Sequence, residues 1–559
     1  MKGTFARVSA VVAGVPGAVA TGVEYAARSC RSPPTGNRVP TDPADPRAAD
    51  AGATAYSAAV SHQRVLIVGA GFSGIAMAAR LAQHGIEDFL ILEKATDVGG
   101  TWRDNRYPGC ACDVPSRLYS LSFAPKLDWS RDYAPAGEIW DYLRDCVDRF
   151  GLRSRIVLGA DVTDATWDKN RWRVVAADGR EWTGAALVLG VGGLHVPQRP
   201  TLPGLGSFAG RVLHTADWPA DDHLAGQRVG VVGTGASAVQ LVPAIAPRVT
   251  ELVVFQRTAA WVLPRDDRPW SHARTLTYAR MPLVERIQRW RTYLRLESRV
   301  LGFGRAARAR RIVEQQALAR LAAAVPDPVT RSALTPGYAL GCKRVLLSDD
   351  YWPTFARPHV RLVTAPIERV EPTRVVTADG GHVELDVLVF ATGFDLTGSF
   401  DRIRVTGLRG RTLAQEWETA RSTHLGIEVA GFPELYLLLG PNTALGHNSV
   451  LLMIEAAIEH ILQALRRADR EGPHVVTRAA QARFGRWVAR RTRHTVWGSG
   501  CQSWYLDERG RNVAIWPAST VRYRLATRRL RESSYERVAS AEATDSDPVR
   551  PATAPTPSG

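Results

Sequence analysis

Arg64-Val65-Leu66-Ile67-Val68-Gly69-Ala70-Gly71-Phe72-Ser73-Gly74 decides the fold. A short β-branched run stops at a G-x-G-x-x-G turn, and Ile75 to Leu81 continues in good helix formers. Strand, tight glycine turn and helix start together are the setting in which that spacing means dinucleotide binding. The glycines let backbone N–H groups approach a pyrophosphate, and the helix N-terminus adds partial positive charge. A second predicted strand, Phe89 to Leu92, ends at Glu93, whose carboxylate can accept hydrogen bonds from ribose hydroxyls. One such motif alone is weak, because glycine turns are common.

The pattern recurs. Val229 to Val232 runs into Gly233-Thr234-Gly235-Ala236-Ser237-Ala238, with Ala in the third glycine position, and another strand follows at Leu252 to Phe255. Where the first unit has Glu93, 24 residues after Gly69, the second has Arg257, 24 after Gly233. A carboxylate there suits a free 2′-hydroxyl, whereas a guanidinium suits a 2′-phosphate. The first unit is therefore expected to hold FAD and the second NADPH. Two chance glycine turns would not produce matched offsets with opposite charge. A further apolar strand, Val387 to Phe390, runs into Ala391-Thr392-Gly393-Phe394-Asp395 and is expected to rejoin the first sheet. The expected fold is α/β with two Rossmann-like dinucleotide-binding domains. Residues 61–205 and 381–530 form a discontinuous FAD domain, and 206–380 form an NADPH domain inserted in it.

A chain of 559 residues is long enough for two or three packed units. Its 71 Lys and Arg against 55 Asp and Glu give a net charge of +16, which invites a nucleic-acid or membrane reading. The chain has no zinc finger, aromatic RNA-binding signature or basic tail, so nucleic acid is not an expected partner. The excess is concentrated: residues 274–320 hold twelve Arg, no Lys and three Glu, a local +9. From Ala273 to about Val325 the pattern is helical, with Leu283, Ile287, Trp290 and Leu294 on one face. Two readings stand side by side. One is a helical cap packed on the NADPH unit with solvated arginines; the other is an amphipathic patch resting weakly on an anionic membrane.

The six cysteines show no disulfide-scaffold spacing and no CxxC that could exchange electrons with a flavin. Cys110 and Cys112 lack a further Cys/His pair at ligand spacing, so no metal is expected. A reduced thiol inventory follows. Near the start, Lys2 and Arg7 precede an apolar run, Val8 to Val23, in the manner of an export signal. Pro16 interrupts that run, and the core that follows needs cytosolic nucleotides. Residues 1–60 are thus expected to be a disordered extension of a cytoplasmic protein, and 531–559 a flexible tail.

Two longer patterns narrow the chemistry. Phe208 to Pro219 fits F-x-G-x-x-x-H-x-x-x-W-P at every fixed position, through Phe208, Gly210, His214, Trp218 and Pro219. Gly99, Gly100, Trp102, Tyr107, Pro108, Gly109 and Asp113 meet a second signature, [AG]-G-x-W-x(4)-[FY]-P-[GM]-x(3)-D. On these motifs the chain resembles the type I Baeyer–Villiger monooxygenases of the flavin-containing monooxygenase superfamily, from about Arg64 to Arg524. The resemblance implies a FAD- and NADPH-dependent enzyme that uses a C4a-peroxyflavin to turn a ketone into an ester or lactone.

It also implies roles. Lys343 matches the lysine that assists Arg257 and Thr258 at the 2′-phosphate. Arg344 matches an arginine in the active site, and Asp113 the acid that orients it beside the flavin. Ser73, Glu93, Thr101, Trp102, Val114 and Tyr119 fall where the family holds FAD. Trp504 resembles a loop tryptophan that closes over NADP. An arginine keeps its charge under any plausible perturbation, so Arg344 can stabilise anionic oxygen. The alternative for Asp113 and Arg344 is an ordinary buried ion pair. His214 is open between a proton-transfer group and a hinge where the chain crosses between units. Rival functions are N- or S-oxygenation of a heteroatom, disulfide reduction, which the missing CxxC disfavours, and a membrane-associated flavoprotein without oxygenase activity.

Overall fold

The computed structural model describes residues 61–304, 307–395 and 398–538. The expectations for residues 1–60 and for 539–559 lie outside the described residues.

The first sheet is built on the opening motif. Strands β1 (Ser61–Val68), β2 (Phe89–Leu92), β3 (Ile156–Val157), β4 (Val162–Asp168), β5 (Arg171–Ala176) and β6 (Glu181–Leu189) belong to it. Val68 pairs in parallel with Leu92 on one side and Leu189 on the other. Successive side chains of β1 face opposite sides of the sheet. Val65 and Ile67 enter one core with Ile75 and Met77 of helix α1 (Phe72–Gln83), while Leu66 and Val68 enter another with Trp172 and Trp182. Both faces are covered, which is why the strand reads as an unbroken apolar run.

The second sheet repeats the device around helix α2 (Ala236–Ile245). It holds β7 (Arg211–His214), β8 (Arg228–Val232), β9 (Glu251–Phe255), β10 (Val360–Val363) and β11 (Val387–Phe390), all parallel, in the order β10-β9-β8-β11-β7. Here one expectation is corrected. β11 does not rejoin the first sheet; Val387 pairs with Val229 on one side and Arg211 on the other. The second unit therefore runs past residue 380 at least to Phe390. A fully buried strand announces that it is covered on both faces, not which neighbours it pairs with. The first sheet is regained later, by β12 (Arg404–Thr406) beside β4 and β13 (Leu435–Leu437) beside β6. Helix α4 (Leu451–Glu471) then adds Ile454, Ile458 and Ile461 to the core under α1.

Where the chain passes between the sheets, its outward and return crossings lie side by side. The Gln198 N–H donates to the Gly393 carbonyl at 2.9 Å, and the Asp395 N–H to that of Val196 at 2.9 Å. The segment between β9 and β10 is helical at His272–Arg280, Pro282–Ser298, Val300–Phe303 and Ala307–Ala324; Pro282–Ser298 is called α3 below. Among the described residues no helix is long and apolar enough to cross a membrane. The expected flexible tail is also corrected in part. Tyr535–Arg537 pairs antiparallel with His474–Val476, and the Tyr535 hydroxyl donates to Glu428 at 2.8 Å, so the chain stays packed up to Val538.

Candidate active site

The two glycine turns have the form their spacing predicts. A Cβ on Gly74 would sit 1.8 Å from the Gly69 carbonyl oxygen, so only glycine lets α1 start this close to β1. Gly71 and Gly235 stand at the N-caps of α1 and α2, and neither helix has a side-chain cap. Helices beginning at Ser271, Thr477 and Ser519 are capped by their own hydroxyls. The open N–H groups of α1 and α2 are thus left for an anion. Gly71 also faces Gly100 across a narrow slot, where a Cβ on Gly100 would come within 3.3 Å of the Gly71 Cα. Two bare backbones facing each other beside an uncapped helix start fit a pyrophosphate. Ser73 is buried in the first turn of α1, and Thr101 and Trp102 follow the slot directly.

Glu93 lies at the tip of β2 and is 4% exposed. One of its oxygens accepts from the Ala70 N–H at 2.7 Å, the other from the Ala95 N–H and from Arg103 Nη1, both at 3.1 Å. Arg103 was not singled out from the sequence. Its buried guanidinium pairs with Glu93, and burial of an arginine in this position has no local signature. Trp102 meets Tyr119 edge-on at 5.3 Å, and Tyr119 meets Phe72 at 5.2 Å, so two of the expected FAD residues form one aromatic wall with Phe72. Val114 adjoins it as a partly buried contact.

In the second unit the Thr234 hydroxyl donates to the Thr258 carbonyl at 2.7 Å, tying the glycine turn to the residue after Arg257. Arg257 is exposed. Burial, and then the charge of Arg257, hold the Lys343 ammonium below its usual pKa. A cation close enough to a second one to lower its pKa marks a place for an anion. Ser237 and Ala238 continue into α2, where Ala238 is fully buried in the third glycine position.

Asp113 and Arg344 come together from positions 231 apart. Arg344 donates to Asp113 Oδ2 from Nε at 2.9 Å and from Nη2 at 2.6 Å. The carboxylate raises the pKa of the guanidinium, which stays charged. The turn carrying Arg344 is gripped by a C-terminal segment. Trp497 Nε1 donates to the Gly341 carbonyl at 3.0 Å, and Phe303 stacks on Trp497 at 5.1 Å. Cys342 is joined to Cys501 by a disulfide, which corrects the expectation of a fully reduced thiol set. A bond across 159 residues leaves no spacing pattern in the sequence.

Tyr505 is 1% exposed and lies within reach of the Arg344 guanidinium. Burial pushes this phenol up to about 12, while the Arg344 charge draws it down. The sequence placed Tyr505 only as a neighbour of Trp504. Trp504 itself is 46% exposed, with its ring 4.0 Å from that of Tyr505.

His214 is 1% exposed where the two crossings meet. Its Nδ1 accepts from the Ala216 N–H at 3.0 Å, which puts the ring proton on Nε2, 3.4 Å from the Thr392 hydroxyl. Thr392 donates in turn to the Gln198 carbonyl at 2.5 Å. Burial lowers the His214 pKa, so the ring is neutral and committed to backbone that links the two sheets.

An uncapped dinucleotide turn in each of two α/β units, with opposite charge at their ribose ends, is the arrangement of a flavoprotein oxidoreductase that uses FAD and NADPH. Comparison with known proteins agrees. Residues 67–143 match the NAD(P)-binding Rossmann-like domain. A Baeyer–Villiger monooxygenase of Streptomyces coelicolor is 42% identical over 85% of this chain and 92% of its own length. One of Pseudomonas aeruginosa is 41% identical over 86% and 92%. The structure of an oxidised steroid monooxygenase bound to NADP superposes with a TM-score of 0.77 at 32% identity, over 85% of this chain and 99% of that one. The chain belongs to the Baeyer–Villiger monooxygenases.

Proposed function

We propose that Arg344 and Asp113 are the catalytic pair of a Baeyer–Villiger oxidation, in which one oxygen atom of O2 enters beside a ketone carbonyl to give an ester or lactone. The observation that carries this reading is the fixed guanidinium of Arg344, doubly held by one oxygen of Asp113. The flavin, when bound, supplies the reduction of O2 and delivers the oxygen atom. Gly69, Gly71, Ser73, Gly74, Glu93, Thr101, Trp102, Val114 and Tyr119 hold it, with Asp113 at its edge. Residues 233–238, Arg257, Thr258, Lys343 and Trp504 hold NADPH.

Negative charge develops on oxygen as it moves to the carbonyl. Arg344 supplies a permanent positive charge for it, close to the buried Tyr505. Asp113 keeps the guanidinium pointed and pairs its charge. The test is oxygen-isotope labelling of the products of a ketone and sulfide screen. Esters carrying one atom from O2 support this reading; turnover of sulfides alone overturns it.

A further inference from the structure

Helix α3 is turned inside out relative to the usual surface helix. Apart from Leu296, its buried residues are polar. Arg289 donates to the Arg117 carbonyl and to the Ser120 carbonyl at 2.9 Å. Glu297 accepts from the Thr520 N–H at 2.6 Å and from Asn448 Nδ2 at 2.8 Å, and the Tyr293 hydroxyl meets that of Thr520 at 3.0 Å. These contacts fix the rotation of the helix about its axis. Its outward side is apolar: Leu283 is 67% exposed, Ile287 48%, Trp290 61% and Leu294 42%. Their spacing puts them in one stripe, and Met281, 54% exposed, precedes it. The sequence had marked this set as one face; the structure turns that face to water rather than onto the NADPH unit.

Arg280, Arg286, Arg291 and Arg295 are exposed on the same helical stretch, none in an ion pair among the described residues. The only two acids of α3, Glu285 and Glu297, are both buried. On α3 itself the surface is thus an apolar ridge whose exposed charges are all cations. A stripe of large apolar side chains left in water marks a contact surface. A second copy of the chain meeting it by two-fold symmetry would bring the arginines of both copies together. A convex ridge also suits a plane better than a pocket.

We propose that the outer face of α3 docks this protein on an anionic lipid bilayer, with Leu283, Ile287, Trp290 and Leu294 entering the headgroup boundary and the arginines engaging lipid phosphates. The helix lies in the plane of the surface and does not cross it.

Flotation of the full-length holoenzyme with vesicles tests this. Phosphatidylglycerol–phosphatidylcholine vesicles are compared with pure phosphatidylcholine, each in low and high salt. The expected result is flotation with the anionic vesicles only, lost in high salt because the arginine contribution is screened. Leu283→Ser combined with Trp290→Ser should abolish it. Each of Arg286→Gln, Arg291→Gln and Arg295→Gln should lower partitioning about fivefold. NADPH consumption without lipid should be unchanged in all of them. No flotation overturns the proposal. So does flotation that the α3 variants leave unchanged, or equal flotation with neutral vesicles. A change from dimer to monomer in Leu283→Ser/Trp290→Ser on sedimentation assigns the face to a second copy and overturns it too.

Discussion

Arg344 reaches Asp113 with two donors, Nε and Nη2, that converge on the single oxygen Oδ2. A guanidinium held at one edge cannot swing, so its charge is aimed before substrate arrives. Replacing it should therefore strike one step. In Arg344→Ala, NADPH still reduces the flavin, while ester yield falls by about 100- to 1,000-fold, the usual cost of one electrostatic donor. Sulfide oxygenation, where present, should suffer less. Asp113→Ala should show a milder form of the same defect. Stopped-flow spectra follow flavin reduction and product analysis follows the ester; near-normal ester formation in Arg344→Ala would remove Arg344 from the mechanism.

Arg257 is exposed beside Lys343, whose pKa it lowers. Arg257→Ala should raise KM for NADPH roughly 10- to 100-fold, the range for a lost hydrogen bond to a charged group. KM for NADH should barely move. Equal losses with the two coenzymes would show that no 2′-phosphate sits there.

The Cys342–Cys501 bond joins the turn of Lys343 and Arg344 to the loop of Trp504. Among the described residues the bond leaves Cys110, Cys112 and Cys146 as thiols, so the denatured oxidised protein should titrate at least two fewer thiols than the six found after reduction. Cys342→Ser should lower the stability of the fold by about 2–4 kcal/mol. It should also raise KM for NADPH more than it lowers kcat. A count of six thiols without reductant would refute the bond.

Glu434 gives a pH signature. It is buried and accepts from the Tyr436 hydroxyl at 2.6 Å and the His474 N–H at 2.9 Å. Burial raises its carboxyl from 4.5 to about 7. The unfolded chain gives up this proton first, so stability is lost as pH rises from 4.5 through 7 and is level above that. Glu434→Gln, which keeps an acceptor and cannot ionise, should be more stable than the parent at pH 8 and lose that advantage near pH 4.5. The difference should be roughly 3 kcal/mol. A constant offset across the range would show that Glu434 does not titrate in this window.

Much of the site could be read from the chain because its parts are local. Strand, glycine turn and helix follow one another within about a dozen residues, so backbone chemistry alone specifies the Gly69–Gly74 and Gly233–Ala238 turns. Glu93 and Arg257 sit at a fixed offset because the length of a β–α–β step sets it. His214 is a different case. The fingerprint located it, but its link to Thr392 and Gln198, which favours the hinge over proton transfer, appears only when both crossings are seen together.

The order of residues along the chain was therefore enough for two dinucleotide units, the opposite charges at their ribose ends, and the two residues proposed for catalysis. Contacts between distant segments decided the rest: the sheet that Val387–Phe390 joins, the partner of Cys342, the arginine behind Glu93 and the outward turn of α3. The reason is physical. A strand's hydrogen-bonding edges are the same whatever strand lies next to it, and a thiol or an amphipathic helix has no partner until folding brings one within reach. In α3 the contacts of Arg289 and Glu297 with distant segments set which side faces inward, and the pattern of the helix by itself could not express that.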